Sequence, residues 1–364
     1  MSKKHLKYCI YFSLILVMLI PLSGKLMAKN SATDSIVADG HLDIKALILE
    51  HLADSYEWHI ATINNKDISI SLPVILYSKT SGIHLFSSKK IQQSDSHYKG
   101  FYISQDGQYK GKIVEDDANG KQIRPIDFSI TKNAASLLIA SCLLIIIFLA
   151  IARAYKRDPM GPKKGIVGAI EMFVLSIHDD IIKPVIGEDY KKYRYYLLAL
   201  FFFIFFNNIL GLIPIFPGGA NVTGNIAVTF TLALFTFVIV NFTGTKTYYK
   251  DVFWPDVPIW LKPIMMVIEV VGLITKPFAL MIRLFANIMS GHAIVLGLIS
   301  LIFVTAHMGS ALNSSLTGFS IFLVVFISFL EILVAYIQAY VFTVFTAVFI
   351  NAARAKPQVE KKKN

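Results

Sequence analysis

The chain has 364 residues, of which 55% are hydrophobic and only 16% charged, with a formal net charge of +11. Soluble domains average about 25% charged residues, so this composition, with a mean hydropathy of +0.58 and apolar residues in long unbroken runs, excludes an ordinary soluble protein. The basic excess is no sign of nucleic acid as a partner, because no basic motif is interleaved with aromatics. Lys and Arg gather here as they do in the cytoplasmic loops of polytopic membrane proteins.

The first 28 residues read as a signal peptide. Lys3, Lys4 and Lys7 form a positive start, residues 8–20 form an apolar stretch too short for a span of about 20 residues, and Ala28 is the expected cleavage point. Residues 29–130 then form an exported, periplasmic domain of different composition. Ile44, Leu47, Ile48, Leu52 and Tyr56 recur at helical spacing, which predicts a helix over 43–58. Ile68, Ile70 and Leu72 alternate with polar residues, and Phe101-Tyr102-Ile103 also reads as a strand. Asp106-Gly107 and Asn119-Gly120 are hairpin signals. A small α+β domain is expected. Its histidines, His41, His51, His59, His84 and His97, are spaced by 10, 8, 25 and 13, which fits no metal-ligand pattern. The two cysteines, Cys9 and Cys142, fall outside this domain, so it forms no disulfide.

The membrane domain occupies 131–364. Residues 134–152 form an unbroken span that ends in Arg153, Lys156, Arg157, Lys163 and Lys164. Over 165–182, Ile166, Ile170, Phe173, Val174, Ile177 and Ile181 share one helical face, with Glu171, His178 and Asp179 off it, which predicts an amphipathic helix lying in the interface. Residues 195–216 cross outward and 226–243 return to Lys246, Lys250 and Lys262. Two long apolar segments, 263–306 and 319–352, precede a tail with Arg354, Lys356 and Lys361 to Lys363. A helix of about 40 residues is about 60 Å long, twice the hydrocarbon thickness, so both must be strongly tilted or bent. The fold class is therefore an all-α polytopic membrane protein with five crossings, one interfacial helix and a small exported α+β domain. Five crossings put every strongly basic loop, and the C-terminus, on the cytoplasmic side.

The last two segments carry groups that lipid does not tolerate. An Arg at mid-bilayer costs about 2.5–3.5 kcal/mol on insertion scales, so such groups face a partner, water or the bundle interior. Glu269, Lys276 and Arg283 are seven residues apart and form one stripe, with Asn287 a turn beyond on nearly the same face. His292, nine residues past Arg283, points to the other side. Glu331 and Gln338 share a face of the second segment. Arg283 has no acid at i±3 or i±4, so its counter-charge must come from another helix or another chain. Glu269 and Lys276 read equally as a structural pair or interfacial snorkel and as functional groups.

These motifs resemble one family. Residues 272–292 and 331–350 look like the a subunit of the proton-translocating F-type ATP synthase, and the likeness runs over about 134–352. Its Arg-Leu-Phe-x-Asn pattern with a later Gly is matched by Arg283, Leu284, Phe285, Asn287 and Gly291, its final-helix Gln by Gln338, and its Asn-x-x-Gly-Leu-x-Pro segment by Asn208, Gly211, Leu212 and Pro214. The resemblance implies a non-catalytic, proton-conducting stator with no cofactor and no metal. It would sit in a bacterial inner membrane, against a ring of c-subunit proteolipids and bound to the peripheral-stalk b subunits and the rest of the synthase. Arg283 would face the ring carboxylates, with His292, Glu331, Gln338 and Asn287 along the proton path and Glu269, Lys276, Asn208 and Asn225 in support. His292 and Glu331 stand in the order seen in mitochondrial members, exchanged relative to some bacterial ones, which keeps an acid–His relay. Asn225 stands where some members have Asp.

Two other classes fit less well. A stand-alone ion-coupled secondary transporter predicts internal repeats and broken helices, and neither pattern is visible. An intramembrane enzyme needs a nucleophile, paired acids or metal ligands within the apolar segments, and there is no acid pair, His-x-x-x-His or phosphate loop.

Overall fold

The computed structural model describes residues 37–38, 41–42 and 54–354, apart from 64–65, 80, 94–96, 105–106, 110, 117–121, 159–160, 162, 214–217 and 306–309. The N-terminal part is built of short antiparallel strands. β1 (Val37–Ala38) pairs with β2 (His41–Leu42), and β3 (Glu57–Ile63) pairs with β4 (Lys66–Ser71). β5 (Pro73–Ser78) and β6 (Gly82–Ser87) are followed by a one-turn helix, α1 (Lys89–Gln93). β7 (Phe101–Ile103), β8 (Ile113–Asp116), β9 (Gln122–Ile123) and β10 (Ile126–Asp127) complete the domain, giving sheets of order β10-β5-β6 and β7-β8-β9. One face of the first sheet supplies Val74, Leu76 and Phe86 to a small core with Tyr56, Ile91, Phe101 and Ile113.

Two sequence expectations change here. Most of the helix expected over 43–58 lies outside the described residues, but its end does not form, since the chain is extended from Glu57. Trp58 and Ile70 face each other across the β3–β4 pair, and β-branched and aromatic residues favour that pleated setting. Asp106-Gly107 is not a two-residue hairpin. Gly107 opens a 3-10 turn, Gly107–Tyr109, in the longer connection between β7 and β8. Asn119-Gly120 lies outside the described residues.

The domain is fastened to the helices that follow. α2 (Lys132–Arg157) is capped by Thr131, whose side chain accepts from the Ala134 N–H at 3.4 Å. The Lys132 N–H donates to the Ser55 carbonyl at 2.8 Å and the Asn133 N–H to Asp54 Oδ1 at 3.1 Å. Trp58 is buried in the same apolar core as Leu137 of α2. Burial holds the Asp54 carboxyl above the usual carboxylate range, against the opposing pull of its bond from Asn133.

After α2 come α3 (Gly165–Ser176), a π-helical turn (Ile177–Ile182), α4 (Lys183–Ile186), a 3-10 turn (Gly187–Asp189) and α5 (Tyr190–Leu212). Residues Gly165–Leu212 thus form a nearly continuous helical path. Ile170, Phe173, Val174, Ile177 and Ile181 pack in the core, while Ile166 is 76% exposed. The apolar face fails at its first residue, Ile166, which stands in the opening turn of α3. α5 is apolar on all sides and lies at the centre, with Leu197, Leu200, Phe201 and Phe202 fully buried.

α6 (Ile226–Phe242) and α7 (Lys246–Phe253) meet at a bend of 105°. α8 (Lys262–Thr305) and α9 (Ser310–Arg354) are 44 and 45 residues long and pack as an antiparallel hairpin. α9 starts well before the apolar run at 319, since Asn313 and Thr317 satisfy each other and Thr305 with side-chain hydrogen bonds. Among the described residues, four helical stretches are long and apolar enough to cross a membrane, or five if α6 and α7 form one bent span.

Candidate functional site

The site lies along the α8–α9 hairpin, where residue pairs meet in antiparallel register. Arg283 is exposed, with its guanidinium carbon 4.9 Å from the centre of the Phe345 ring. Such a cation over an aromatic face is attracted without being neutralised. Among the described residues no carboxylate lies within ion-pair distance of Arg283. One turn on, Asn287 Nδ2 donates to Gln338 Oε1 at 2.7 Å. Further along, His292 Nδ1 lies 3.9 Å from Glu331 Oε1. The three steps climb α8 from 283 to 292 over about 14 Å and descend α9 from 345 to 331.

The last step depends on a glycine. A Cβ at Gly291 would stand 2.3 Å from Glu331 Oε1, so only Gly lets the carboxylate lie against the α8 backbone. His292 is held by two carbonyls: Nδ1 is 3.2 Å from Ile288 O and Nε2 is 3.3 Å from Gly211 O on α5. A neutral imidazole can donate to one of these, and a doubly protonated ring to both. Glu331 Oε1 and Gln338 Nε2 are buried without a hydrogen-bond partner among the described residues.

α5 joins the site through its Asn pair. Asn208 Nδ2 donates to the Ala335 carbonyl, one turn from Glu331, at 3.4 Å, and Asn208 Oδ1 accepts from the Thr223 hydroxyl at 2.7 Å. Asn225 caps α6 by accepting from the Ala227 N–H at 3.0 Å, which commits its side-chain oxygen to the backbone.

On the other side of Arg283 lies a cavity of about 30 Å³, lined among others by Lys276, Tyr248, Asn241 and Thr236, with room for about one water. Lys276 and Glu269 form no ion pair with each other among the described residues. Their spacing of seven residues puts them about 10 Å apart along the axis. The far end of the bundle is tied by the Thr245 N–H donating to the Ala353 carbonyl at 2.9 Å and by Arg354 pairing with Asp189.

Sequence reasoning did not name Phe345, Thr223 or the Gly211 carbonyl as members of the site. Phe345 had a legible signal, because it continues the seven-residue stripe of Glu331 and Gln338. The other two depend on how α5 and the segment after it register against α8 and α9. Among the described residues no three His, Cys, Asp or Glu side chains gather as a metal site.

Fold and site together define a multi-pass membrane protein that carries a ladder of ionisable and amide side chains along one exposed helix hairpin. The chain belongs to the ATP synthase A chain family, whose model matches residues 135–351. A second model, a domain of unknown function, matches residues 47–131. Relatives include ATP synthase subunit a of Chlorobium phaeobacteroides, 43% identical over 236 residues covering 63% of this chain and 66% of that protein. ATP synthase subunit a 2 of Chlorobaculum tepidum is 41% identical over 244 residues, 64% of this chain and 66% of the relative. Subunit a of Myxococcus xanthus is 40% identical over 236 residues, 63% and 74% of the two chains. The chain thus spans a little under two thirds of the first two relatives.

Proposed function

We propose that this chain is the proton-conducting stator of an F-type ATP synthase, without catalytic chemistry of its own, and that α8 and α9 face a ring of c subunits carrying membrane-embedded carboxylates. The observation that carries this reading is Arg283: a permanent cation on the exposed side of an apolar hairpin, stacked on Phe345 and unpaired with any acid among the described residues. A cation there needs an anion from outside the chain. A ring carboxylate passing within a few ångströms has its pKa lowered and releases its proton. Arg suits this task because its guanidinium stays protonated when desolvated.

Two polar regions flank Arg283 on opposite sides, and we assign them to two offset half-channels. His292 and Glu331 relay protons between the ring and one surface, with Asn208 and Asn225 in the supporting wall. Lys276, with Glu269 a further two turns along α8, lies on the way to the other surface. The Asn287–Gln338 bond keeps the hairpin in register beside Arg283, and the guanidinium bars direct passage between the two halves. Each proton crossing then delivers about 2.3 kcal/mol per 100 mV of membrane potential, which turns the ring and drives synthesis in the soluble head. The basic end, with Lys246, Lys250 and Arg354, faces the cytoplasm of a bacterial inner membrane and meets the b subunits, while residues 29–130 lie in the periplasm after removal of 1–28. The resident charge ladder and the family membership speak against a stand-alone transporter.

The test is ATP-driven proton pumping in inverted membrane vesicles. Arg283→Ala is expected to abolish pumping while ATP hydrolysis by the soluble head persists. Pumping at the normal rate in that variant would overturn the assignment.

A further inference from the structure

The sheet of β5, β6 and β10 has one face in the domain core and another that is apolar where a solvated sheet would be polar. The register fixes which residues share it. Tyr77 lies opposite both Ile83 and Ile126, and Ile75 lies opposite Leu85. Phe128 joins that second row, since its N–H donates to the Ile75 carbonyl, and Ile130 joins a third row beside Pro73 in the same way. With Ser87, which pairs with Pro73, this makes nine positions on three strands and the segment that continues β10, none of them charged. Ile83 is 76% exposed, Leu85 71%, Phe128 49%, Tyr77 42% and Ile126 38%. A contiguous patch of this kind marks an interaction site.

The covalent path names what it meets. β10 continues through Phe128 and Ile130 into α2 at Lys132, the start of a candidate membrane span. At about 3.4 Å per residue, Phe128 lies within about 14 Å of Lys132 and Ile126 within about 20 Å. The linkage is not a loose tether, for the Lys132 and Asn133 N–H groups donate to Ser55 and Asp54, and Trp58 is buried in the core of the helical body. The patch is therefore held beside the bilayer surface at which α2 begins, and its row nearest α2 leads directly into the lipid-facing span. We infer that this sheet face lies on that leaflet of the bilayer, with Ile83, Leu85 and Phe128 in the headgroup–acyl boundary. Tyr77 suits such a level because its ring is apolar and its hydroxyl polar. The N-terminal domain is then an interfacial module that fixes the start of α2 in depth and tilt.

Site-directed spin labels in the full chain, reconstituted in phosphatidylcholine–phosphatidylglycerol vesicles, test this. Labels go at Leu85→Cys and, separately, Ile83→Cys in a Cys9→Ser, Cys142→Ser background, with exposed Gln108→Cys in the 3-10 turn between β7 and β8 as the aqueous control. The expected result is a several-fold preference for oxygen over a water-soluble nickel chelate at 85 and 83, and the reverse at 108. Chelate access at 85 and 83 equal to that at 108 would overturn the inference in favour of a solvated face. Low access of both reagents at 85 and 83 would overturn it in favour of a protein cover, either a second copy or another subunit. Since the readout is depth and not transport, it is independent of the role assigned to Arg283.

Discussion

The path through α3 to α5 and the α8–α9 hairpin are equally apolar, yet they are used in opposite ways. The best membrane window of Gly165–Leu212 has a mean hydropathy of 1.9 and is 56% buried within the chain, while that of Lys262–Ile302 has the same hydropathy and is 11% buried. The window of Asn313–Arg354 is more apolar still, at 2.5, and also 11% buried. Hydropathy therefore states that a segment can live in lipid but not what it faces. α5 spends its apolar surface on its own chain. α8 and α9 keep theirs outward, and it is there that Arg283 is exposed.

The sharpest way to break this contrast is at Gly291. Gly291→Val would drive Cβ and two methyl groups into the Glu331 carboxylate, which must swing out of its place against α8. Pumping in vesicles is expected to disappear, and retention of even half the rate would show that Glu331 need not lie against α8 there. Truncation of the core residue Phe202 to Ala in α5 is expected to cost about 3–5 kcal/mol, whereas Phe329→Ala in α9, 70% exposed, should cost less than about 1 kcal/mol. Unfolding in mixed detergent measures both, and equal losses would refute the division of labour.

Glu331→Gln retains the shape and removes the titrating proton. It should slow proton flux by about 10²-fold without changing assembly, and an unchanged flux would remove Glu331 from the relay. The smallest effect belongs to the N-terminal clamp. Because burial raises the Asp54 pKa, the folded domain binds a proton more tightly than the unfolded chain, and stability falls as pH rises through that window. Asp54→Asn should leave the thermal midpoint unchanged at pH 4 and raise it slightly at pH 8. A lower midpoint at pH 8 would mean that the charged carboxylate is the stabilising form.

The apolar runs of α2, α5, α8 and α9 were legible because lipid demands unbroken hydrophobicity, and a lone Arg283 stands out against it. The stripe of Glu331 and Gln338 was legible from helix geometry alone. What the residues did not reveal is register between distant segments: that the Gly211 carbonyl meets His292, that Thr223 meets Asn208, or that Phe345 lies under Arg283. Those contacts depend on how α5 and α9 slide against α8, and no local pattern encodes the slide. The N-terminal domain was harder for a different reason. Strands of two to seven residues carry too few alternations to outweigh an apparent helical spacing, as at Tyr56 and Trp58.

The π turn at Ile177–Ile182 has a consequence for insertion and deletion. The neighbouring residues Ile181 and Ile182 in it are both buried, at 1% and 0% exposure. Removing a single residue there would restore the ordinary pitch but rotate everything upstream by about 100°, carrying Ile170 and Phe173 out of contact and bringing Glu171 in. The turn thus works as a gear tooth: a one-residue offset, placed mid-helix, on which the angular setting of the whole preceding helix hangs.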